Sequence, residues 1–580
     1  MIKEKINKIK NNKFFDLIVV VSINMIFFII SNYLFEFKYE QVDDFIIMNL
    51  ISKADGSYSI YGVQMHPIIC AIIILLYKTQ INLNWYTIFM LSIQFVSFTI
   101  IGTVFARKSK KIGIPLYIVF LFAIYAKMLT YIQYTTVSML SITSGLILLI
   151  HSIEEIRNIN KNKLIFSILM IILGCLIRFS TIIIAVPFIA IYFICKYIKD
   201  RNIKIIKTSL LLILSLVIVN ISFKIIYNVN PIYREFLKFH DARTYLHDYN
   251  WMKYEGNEEI FNTVNWSKND RDIFYAYCFG DEETYNTEKL EQLQKRAIIN
   301  TKSDYLINKI INVANDFCSS VKSSTYKYVF LIVGLLVISN NLSSISRNYK
   351  NKTDKDEESI NIVFCNLVFI SIVAMHCLFI YLNRPMFRVV ISIYIIGIAM
   401  LIYKLIENFK GSNKLIIKYI CIICILFASF SELQQNITYA QYFNKDNYSV
   451  YKDIINYTSS HKENAYLYTL VMHDRFLAYS VYEKIPDNSY ENIRPLGDWD
   501  TCTENYYDFK ERYDIKNLIE SLYKNDNVYL ISGKVIWGEY YKEYINIIEK
   551  YILEHYGVNI ESNIVKEFDN GIKIYKLKEK

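Results

Sequence analysis

Two adjacent acidic residues stand where the chain leaves its first apolar segment. Asp43 and Asp44 occur in the stretch YEQVDDFIIM, a few residues after that segment ends. A carboxylate at a membrane surface can act as a general base, because it can take the proton of an acceptor hydroxyl while that oxygen forms a new bond. It can instead hold a divalent metal ion, and the sequence leaves this choice open. The plain alternative is a solvated turn. Because neighbouring acids rarely face one substrate, we expect one of the two to be catalytic and the other to support it.

Three arginines stand at the ends of other apolar segments. Arg178 lies in GCLIRFSTIII, and Arg384 and Arg388 share the stretch NRPMFR. Arginine suits a phosphate, because its planar guanidinium donates two parallel hydrogen bonds and keeps its charge. Charges at membrane depth are costly and often mark function, so we expect these three side chains to meet at one lipid phosphate. The alternative is that they only reach out to lipid headgroups.

The elements that carry these residues are predicted to be membrane spans. The chain has 580 residues, 53% of them hydrophobic, and its mean hydropathy is +0.22. Apolar runs recur between residues 17 and 430, and several approach the roughly 18 to 20 residues that cross a bilayer. This pattern predicts an α-helical polytopic membrane protein. The net charge of +10 does not indicate a nucleic-acid partner, because the basic clusters lie between apolar runs.

The positions of the basic clusters predict the orientation of the chain in the membrane. Lysine and arginine collect in cytoplasmic loops, and the first thirteen residues, MIKEKINKIKNNK, are strongly basic. One arrangement of eleven spans places the N-terminus and the other strong basic clusters inside and the C-terminus outside. The predicted spans cover residues 17–36, 84–106, 113–127, 132–150, 163–177, 180–196, 208–227, 327–341, 361–382, 386–404 and 414–432.

A short apolar run between the first two spans is predicted to lie in the outer leaflet rather than to cross. The run from His66 to Tyr77 is about a dozen residues long, which suits an interfacial helix. If it crossed, the basic stretch RKSKK at 107–111 would fall outside. Residues 37–83 then form a large first outer loop that carries the acidic pair. His66 stands at the start of this helix and belongs to the same loop.

Two further regions are predicted to lie outside the membrane. Residues 228–326 form a loop rich in charged and aromatic side chains, among them Arg243 and Asp270. Residues 433–580 alternate β-rich runs with amphipathic patterns, including a helical pattern over 509–524 and another over 540–556, which predicts a small extracytoplasmic α/β domain. The membrane module then covers residues 1–432.

The first outer loop resembles that of the GT-C glycosyltransferases. The resemblance rests on VDDF after the first span, then QMHPIICAIIILLYK, then a span from Trp85 that ends in ARKSKK. Members of that family carry an acidic pair followed by a His-Pro-Pro-type stretch that opens an interfacial helix. Here only His66 and Pro67 are kept, because Ile68 follows. Further stretches, among them HDARTYLHDY and NRPMFR, are similar to a bacterial group of GT-C-like membrane proteins.

The resemblance implies an enzyme that moves a sugar from a polyprenyl-phosphate donor to an envelope polysaccharide, teichoic acid, lipid or protein acceptor, at the outer face and with inversion. It implies that Asp43 or Asp44 activates the acceptor. The phosphate that leaves would be bound by Arg178, Arg384 and Arg388. His66, Arg243 and Asp270 would contact the donor or the acceptor. The alternatives are that His66 simply begins its helix and that Arg243 and Asp270 form structural ion pairs.

Two other function classes stay open at the level of sequence. A transporter or flippase for lipid-linked glycans would carry ionisable or broken-helix features near the middle of the bilayer. Few charges stand in the middle of the predicted spans, which favours an enzyme. A non-catalytic scaffold of a wall-polysaccharide complex would have the same sequence features, with the tail as a binding module.

Overall fold

The structure is a computed structural model that describes residues 13–154, 161–300, 306–345, 352–411, 415–441, 448–498, 500–537 and 540–580. Residues 1–12, and parts of the basic loops at 157–163 and 347–355, lie outside the described residues. The orientation predicted from these clusters therefore stays a prediction.

The described part of the chain is mostly helical, with short strands near both ends. The helices are α1 (Lys13–Leu34), α2 (Val42–Ser52), α3 (Pro67–Tyr77), α4 (Trp85–Lys108), α5 (Lys110–Phe120), α6 (Ala126–Thr130), α7 (Tyr134–Glu154), α8 (Lys161–Ile177), α9 (Thr181–Asp200), α10 (Ile203–Val229), α11 (Pro231–Thr244), α12 (Glu258–Asn262), α13 (Lys268–Tyr275), α14 (Thr287–Asn300), α15 (Leu306–Lys322), α16 (Lys327–Ile345), α17 (Lys352–Tyr381), α18 (Phe387–Gly411), α19 (Leu415–Gln441), α20 (Val450–Ser459), α21 (Glu504–Arg512), α22 (Leu518–Lys524) and α23 (Tyr544–Tyr556).

The strands are short and fall mainly in the tail. They are β1 (Lys38–Tyr39), β2 (Tyr131–Ile132), β3 (Ala465–Tyr468), β4 (Ile493–Pro495), β5 (Val528–Ser532), β6 (Lys534–Trp537), β7 (Tyr540–Glu543), β8 (Ile560–Glu567) and β9 (Lys573–Glu579). A π-helical turn, Leu121–Tyr125, joins α5 to α6, so that the two form one continuous apolar helix.

Ten helices among the described residues are long and apolar enough to cross a membrane, against eleven predicted spans. The ten correspond to all the predicted spans except 163–177. That segment is α8, whose 17 residues reach about 25 Å. It packs closely on α7, because Gly145 and Gly174 let the two backbones approach: a Cβ on Gly145 would lie 2.6 Å from the Ser167 carbonyl oxygen. The prediction of a polytopic helical membrane protein is confirmed.

The short apolar run forms a short helix, as predicted. Helix α3 has 11 residues, which reach about 17 Å and fall short of the bilayer core. Pro67 occupies its first turn, where a missing N–H costs nothing, and the backbone N–H of His66 donates to the Leu176 carbonyl at 2.9 Å. This bond ties the start of α3 to the end of α8.

The tail contains the predicted α/β elements. Its five-stranded sheet has the order β4-β3-β5-β9-β8, with β3 parallel to both β4 and β5 and with β9 antiparallel to β5 and β8. The helical pattern predicted over 509–524 is two helices, α21 and α22, and the chain turns between them, where Asp514 adopts a φ of +50°. The pattern over 540–556 becomes helical only from Tyr544, after β7.

The loop at 228–326 and the tail share one apolar core. Phe239 and Phe274 of the loop are buried in the same cluster as Leu518 and Leu530 of the tail. Glycine is required at position 280, because a Cβ there would lie 2.3 Å from the Leu496 carbonyl oxygen. The loop and the tail thus stabilise each other, while their location outside the membrane and the division of the chain at residue 432 remain predictions.

The tail also docks directly on the region that carries the acidic pair. The backbone N–H groups of Asn488 and Tyr490 donate to the carbonyls of Lys53 and Ala54, each at 2.9 Å. On the other side of α2, the ring of Phe45 packs against Tyr490, with centroids 5.8 Å apart. The tail therefore covers α2 and fixes its position.

Candidate functional site

The acidic pair lies in the first turn of α2. Both carboxylates are near the N-terminus of the helix, where the unpaired backbone N–H groups favour negative charge. Because consecutive residues on a helix point about 100° apart, the two side chains face different surroundings.

Asp44 faces the protein interior and is fully buried. Its Oδ1 accepts a hydrogen bond from the Tyr86 hydroxyl at 2.7 Å and another from the Tyr134 backbone N–H at 3.0 Å. Burial raises the pKa of Asp44 well above its usual range, although both hydrogen bonds act in the opposite direction. These contacts make Asp44 the side chain that joins α2 to α4 and α7.

Asp43 faces Arg388, which lies at the start of α18. The Oδ2 of Asp43 lies 3.3 Å from Nη2 of Arg388, and 21% of the Asp43 side chain is exposed. Nη1 of Arg388 lies 3.2 Å from Oε2 of Glu40 and also donates to the side-chain oxygen of Gln41. Burial raises the pKa of Glu40, and the charge of Arg388 opposes that shift. One guanidinium therefore bridges two carboxylates that stand three positions apart in the chain.

Arg178 lies beside this group, between α8 and α9. Its Nη1 donates to the Tyr134 hydroxyl at 3.0 Å and to the Thr135 hydroxyl, and its Nε donates to the Ser180 hydroxyl at 3.0 Å. Its charge acts on Glu40. We call Glu40, Asp43, Arg178 and Arg388 the acid cluster. Because the three hydroxyls that bind Arg178 are neutral, its charge is available to an anion.

Arg384 belongs to a second group. Its Nη1 lies 3.2 Å from Oδ2 of Asp248, and its guanidinium carbon is 5.0 Å from the centroid of the Tyr249 ring. Burial raises the pKa of Asp248, but the contact with His247 and the charges of Arg243 and Arg384 outweigh that effect and leave the pKa well below its usual range. Arg243, His247, Asp248 and Arg384 form what we call the loop cluster. The three arginines predicted to meet at one phosphate thus divide between two groups.

Arg243 is almost fully buried within the loop cluster. Its Nη2 donates to the Thr244 hydroxyl at 3.0 Å, and its Nε has no hydrogen-bond partner among the described residues. The two clusters are neighbours, because the charges of Arg243 and Asp248 of the loop cluster and of Asp43 of the acid cluster all act on the Tyr277 hydroxyl.

The tail contributes a side chain to the acid cluster. His473 lies in the 3-10 helical segment Leu470–Ala478, and its imidazole interacts electrostatically with Asp43. Burial lowers the pKa of His473, which favours the neutral ring. The nearby Arg475 stacks over Tyr468 and over Phe45 of α2, which holds the segment against that helix.

His66 is positioned as a helix cap. Its Nδ1 accepts from the Ile68 backbone N–H at 3.2 Å, which leaves Nε2–H to donate to the Ser222 hydroxyl at 3.1 Å. Burial lowers its pKa and the side chain is 2% exposed. These contacts support the helix-start interpretation rather than a substrate contact.

Asp270 is also held in structural contacts. It is the third residue of α13, where its Oδ2 accepts from the Ser267 backbone N–H at 2.7 Å in a capping box. Its Oδ1 lies 2.6 Å from Nε2 of His555 on α23, and this hydrogen bond raises the pKa of His555. The pair joins the outer loop to the tail, which favours the structural alternative for Asp270.

Several residues of the candidate site are not singled out by the sequence as functional. Glu40 stands three positions before Asp43, and Asp248 stands in the motif HDARTYLHDY, so both are visible as acids beside candidate residues. Nothing in the sequence distinguishes His473 or Tyr134. Within the described residues, no group of three or more His, Cys, Asp or Glu side chains is arranged to hold a metal ion.

Comparisons with known proteins concern the fold. No protein-family model and no curated protein matches the chain. The chain is similar to the crystal structure of ArnT from Cupriavidus metallidurans in the apo state, with 10% identity, a TM-score of 0.39, and 96% of this chain and 97% of that chain covered. It is similar to the crystal structure of the same protein bound to undecaprenyl phosphate, with 10% identity, a TM-score of 0.38 and the same coverage. At 10% identity these similarities assign no role to any residue of this chain.

Proposed function

We propose that the chain is a membrane glycosyltransferase that moves a sugar from a polyprenyl-phosphate donor to a hydroxyl acceptor at the outer face of the membrane. The observation that carries the proposal is the contact between Asp43, a partly exposed carboxylate, and Arg388, a buried guanidinium, at the end of the span bundle. A base and a phosphate-binding cation are the two groups that sugar transfer from a phosphate requires.

The proposed step uses three residues of the acid cluster, Asp43, Arg178 and Arg388. The acceptor oxygen attacks the anomeric carbon while Asp43 takes its proton, and the bond between that carbon and the phosphate oxygen breaks. The negative charge that develops on the leaving phosphate is stabilised by Arg388 and Arg178. An incoming phosphate would compete with Asp43 for Arg388, and this would release the carboxylate to act as a base.

The two arginines of the loop cluster are assigned to the sugar or the acceptor rather than to the phosphate. Arg384 is already paired with Asp248, at 3.2 Å, and Arg243 has a buried Nε that lacks a partner among the described residues. A sugar hydroxyl supplies the acceptor that such a donor needs.

The test is a transfer assay with the purified full chain and radiolabelled polyprenyl-phosphate sugars, using envelope extract as the source of acceptor. Asp43→Asn is expected to bind donor and to lose transfer. Glu235→Gln is the matched control, because this carboxylate of the loop at 228–326 is exposed and pairs only with Lys238 among its described ion pairs. Transfer by Asp43→Asn at the wild-type rate would overturn the proposal. Donor binding without transfer by the wild type would favour a transporter or a scaffold.

A further inference from the structure

A cavity of about 410 Å³ lies at the opposite end of the span bundle from the acid cluster. On α18, Arg388 of the acid cluster and Lys404 of the cavity are 16 positions apart, or about 24 Å along the helix. On α7, the hydroxyl of Tyr134 binds Arg178, and Glu154, at the far end, lines the cavity. With the acid cluster outside, as proposed above, the cavity faces the cytoplasmic leaflet.

The walls of the cavity carry an excess of positive charge. Four lysines and three carboxylates are among the described residues that line it. The ammonium of Lys108 lies 2.9 Å from the Glu154 carboxylate and 3.5 Å from that of Glu407, and it stacks 3.6 Å from the centroid of the Tyr403 ring. Lys404 also pairs with Glu407, at 2.8 Å. These contacts order the lysine side chains around the cavity before any ligand binds.

Two buried side chains in the cavity wall have polar atoms without partners. Tyr192 is 5% exposed and Asn361 is 2% exposed. The hydroxyl of Tyr192 and the Nδ2 of Asn361 make no hydrogen bond within the described part of the chain. Leaving a buried polar group without a partner is unfavourable, so each of these groups points to a ligand that completes it. The side-chain amide nitrogen of Asn361 can only donate hydrogen bonds, and the hydroxyl of Tyr192 donates readily. The missing partner is therefore a hydrogen-bond acceptor.

An anion with several oxygens satisfies all of these groups together. A phosphate offers acceptors to two neutral donors while its charge balances the excess lysine. The cavity also has apolar walls, formed in part by Ile360 and Phe364 of α17, and Val363 on the same helix is 50% exposed to the surroundings of the bundle. Basic pockets between spans near the cytoplasmic face are suited to phospholipid headgroups.

We propose that this cavity binds a phosphate group, supplied either by an anionic phospholipid or by a soluble phosphate. It is separate from the proposed sugar-transfer site, and its occupancy does not depend on transfer activity.

The test measures how ligands shift the thermal unfolding midpoint of the full chain in lipid-free nonionic detergent. The probes are dioleoyl phosphatidylglycerol, dioleoylglycerol, which has the same chains and no phosphate, and inorganic phosphate. Phosphatidylglycerol is expected to raise the midpoint and dioleoylglycerol to leave it unchanged. An equal shift by inorganic phosphate, weakened by the same substitutions in the cavity wall, would identify a soluble ligand and support the site.

The variants remove the donors one at a time. Tyr192→Phe keeps the ring and removes only the unpartnered hydroxyl, and it is expected to raise the half-saturating concentration about two- to tenfold. Lys196→Gln is expected to raise it about tenfold or more, because it removes a charged donor that lines the cavity. Lys204→Gln is the matched control, an exposed lysine just after the same end of α9.

The expected result without ligand separates binding from folding. Tyr192→Phe is expected to keep or raise the unliganded midpoint, since it removes a buried group that has no partner. If Lys196→Gln does not fold, ligand binding by Tyr192→Phe and Asn361→Leu tests the proposal instead. Equal shifts by phosphatidylglycerol and dioleoylglycerol, or unchanged binding in Tyr192→Phe and Asn361→Leu, would overturn the proposal.

Discussion

The carboxylate of Asp43 lies 3.3 Å from the guanidinium of Arg388, although the two residues belong to different helices far apart in the sequence. Asp44, the next residue, points into the core and is held by Tyr86 and Tyr134. Adjacent acids in the first turn of α2 therefore have different environments, one partly exposed beside a cation and one buried against hydroxyl and amide donors. This difference predicts different results for the same substitutions at the two positions.

Substitutions of Asp44 are expected to change stability rather than transfer. Asp44→Ala leaves the Tyr86 hydroxyl and the Tyr134 N–H unpaired and should lower the free energy of unfolding by about 2–4 kcal/mol. Asp44→Asn keeps an acceptor oxygen and should fold and transfer sugar. Because burial raises the pKa of Asp44 in the folded state, wild-type stability should fall as pH rises from the unfolded pKa, and Asp44→Asn should reduce that loss. Thermal unfolding at several pH values and the transfer assay check this. Loss of transfer in a stable Asp44→Asn protein would contradict it.

Arg388 is expected to act on the phosphate through the shape of its guanidinium. Arg388→Lys keeps a positive charge but loses the planar fork, so it should weaken donor binding about tenfold or more. Arg388→Ala leaves Glu40 and Asp43 unpaired and should be destabilised by about 3–5 kcal/mol. Donor binding and the unfolding midpoint are measured for both variants. Arg234→Lys is the control, since this arginine of α11 is exposed. A wild-type donor affinity in Arg388→Lys would exclude the assigned role.

The sequence predicts the membrane elements well and the contacts between them poorly. Hydropathy and length define the spans, and Pro67 and His66 mark the start of α3 because a capping side chain followed by proline suits a helix N-terminus. Glu40 and Arg388, in contrast, are 348 positions apart, and no local pattern indicates that they meet. The buried pair of Lys127 and Glu432, 2.6 Å apart, is equally invisible. Both depend on how the spans pack.

The ion pair between Arg384 and Asp248 cannot be predicted from the sequence for the same reason. Its position in a short turn beside Arg388 suggests a shared ligand, but the loop at 228–326 folds back and places Asp248 next to it. The docking of the tail on α2 through Asn488 and Tyr490 also cannot be predicted from periodicity, because it uses backbone groups. Sequence patterns locate charges along the membrane normal, whereas partners are fixed by tertiary contacts.

Arg384 and Asp248 are expected to behave as a coupled pair. In a double-mutant cycle, Arg384→Ala and Asp248→Asn should destabilise the protein separately, and the double variant should lose about 0.5–1 kcal/mol less than their sum. Donor affinity should fall less in Arg384→Ala than in Arg388→Lys, because Arg384 is assigned to the loop cluster. Unfolding midpoints and donor binding are measured for all four proteins. Additive effects on stability, together with a larger loss of donor affinity in Arg384→Ala than in Arg388→Lys, would indicate that Arg384 binds the phosphate.

The free energy of unfolding is expected to depend on pH because of the side-chain carboxyl of Asp55. Burial raises its pKa to about 6, although the charge of Arg494 acts in the opposite direction. The folded state therefore binds this proton more tightly than the unfolded state, so stability should fall as pH rises from about 4 to about 6 and then level off. Asp55→Asn should remove that loss and raise the free energy of unfolding above pH 6 by up to about 3 kcal/mol.

Unfolding midpoints at pH 5 and pH 7.5 test this. Asp487→Asn is the control, because this carboxylate is 40% exposed. A lower midpoint for Asp55→Asn at pH 7.5 would show that its charge stabilises the fold.

The close approach of α7 and α8 is expected to depend on glycine. A Cβ at position 174 would lie 2.6 Å from the Ser138 carbonyl oxygen, and one at position 145 would lie 2.6 Å from that of Ser167. Gly145→Ala and Gly174→Ala should each force the helices apart and lower the free energy of unfolding by about 1–3 kcal/mol.

Gly334→Ala is the matched control, because it places the same methyl group in span α16, where no atom lies within 4 Å. This variant should be as stable as the wild type or slightly more so, since alanine favours a helix. Because α8 carries Arg178 at its end, the two destabilised variants should also bind donor less tightly. Equal midpoints for all three variants would mean that the two helices do not need this close contact.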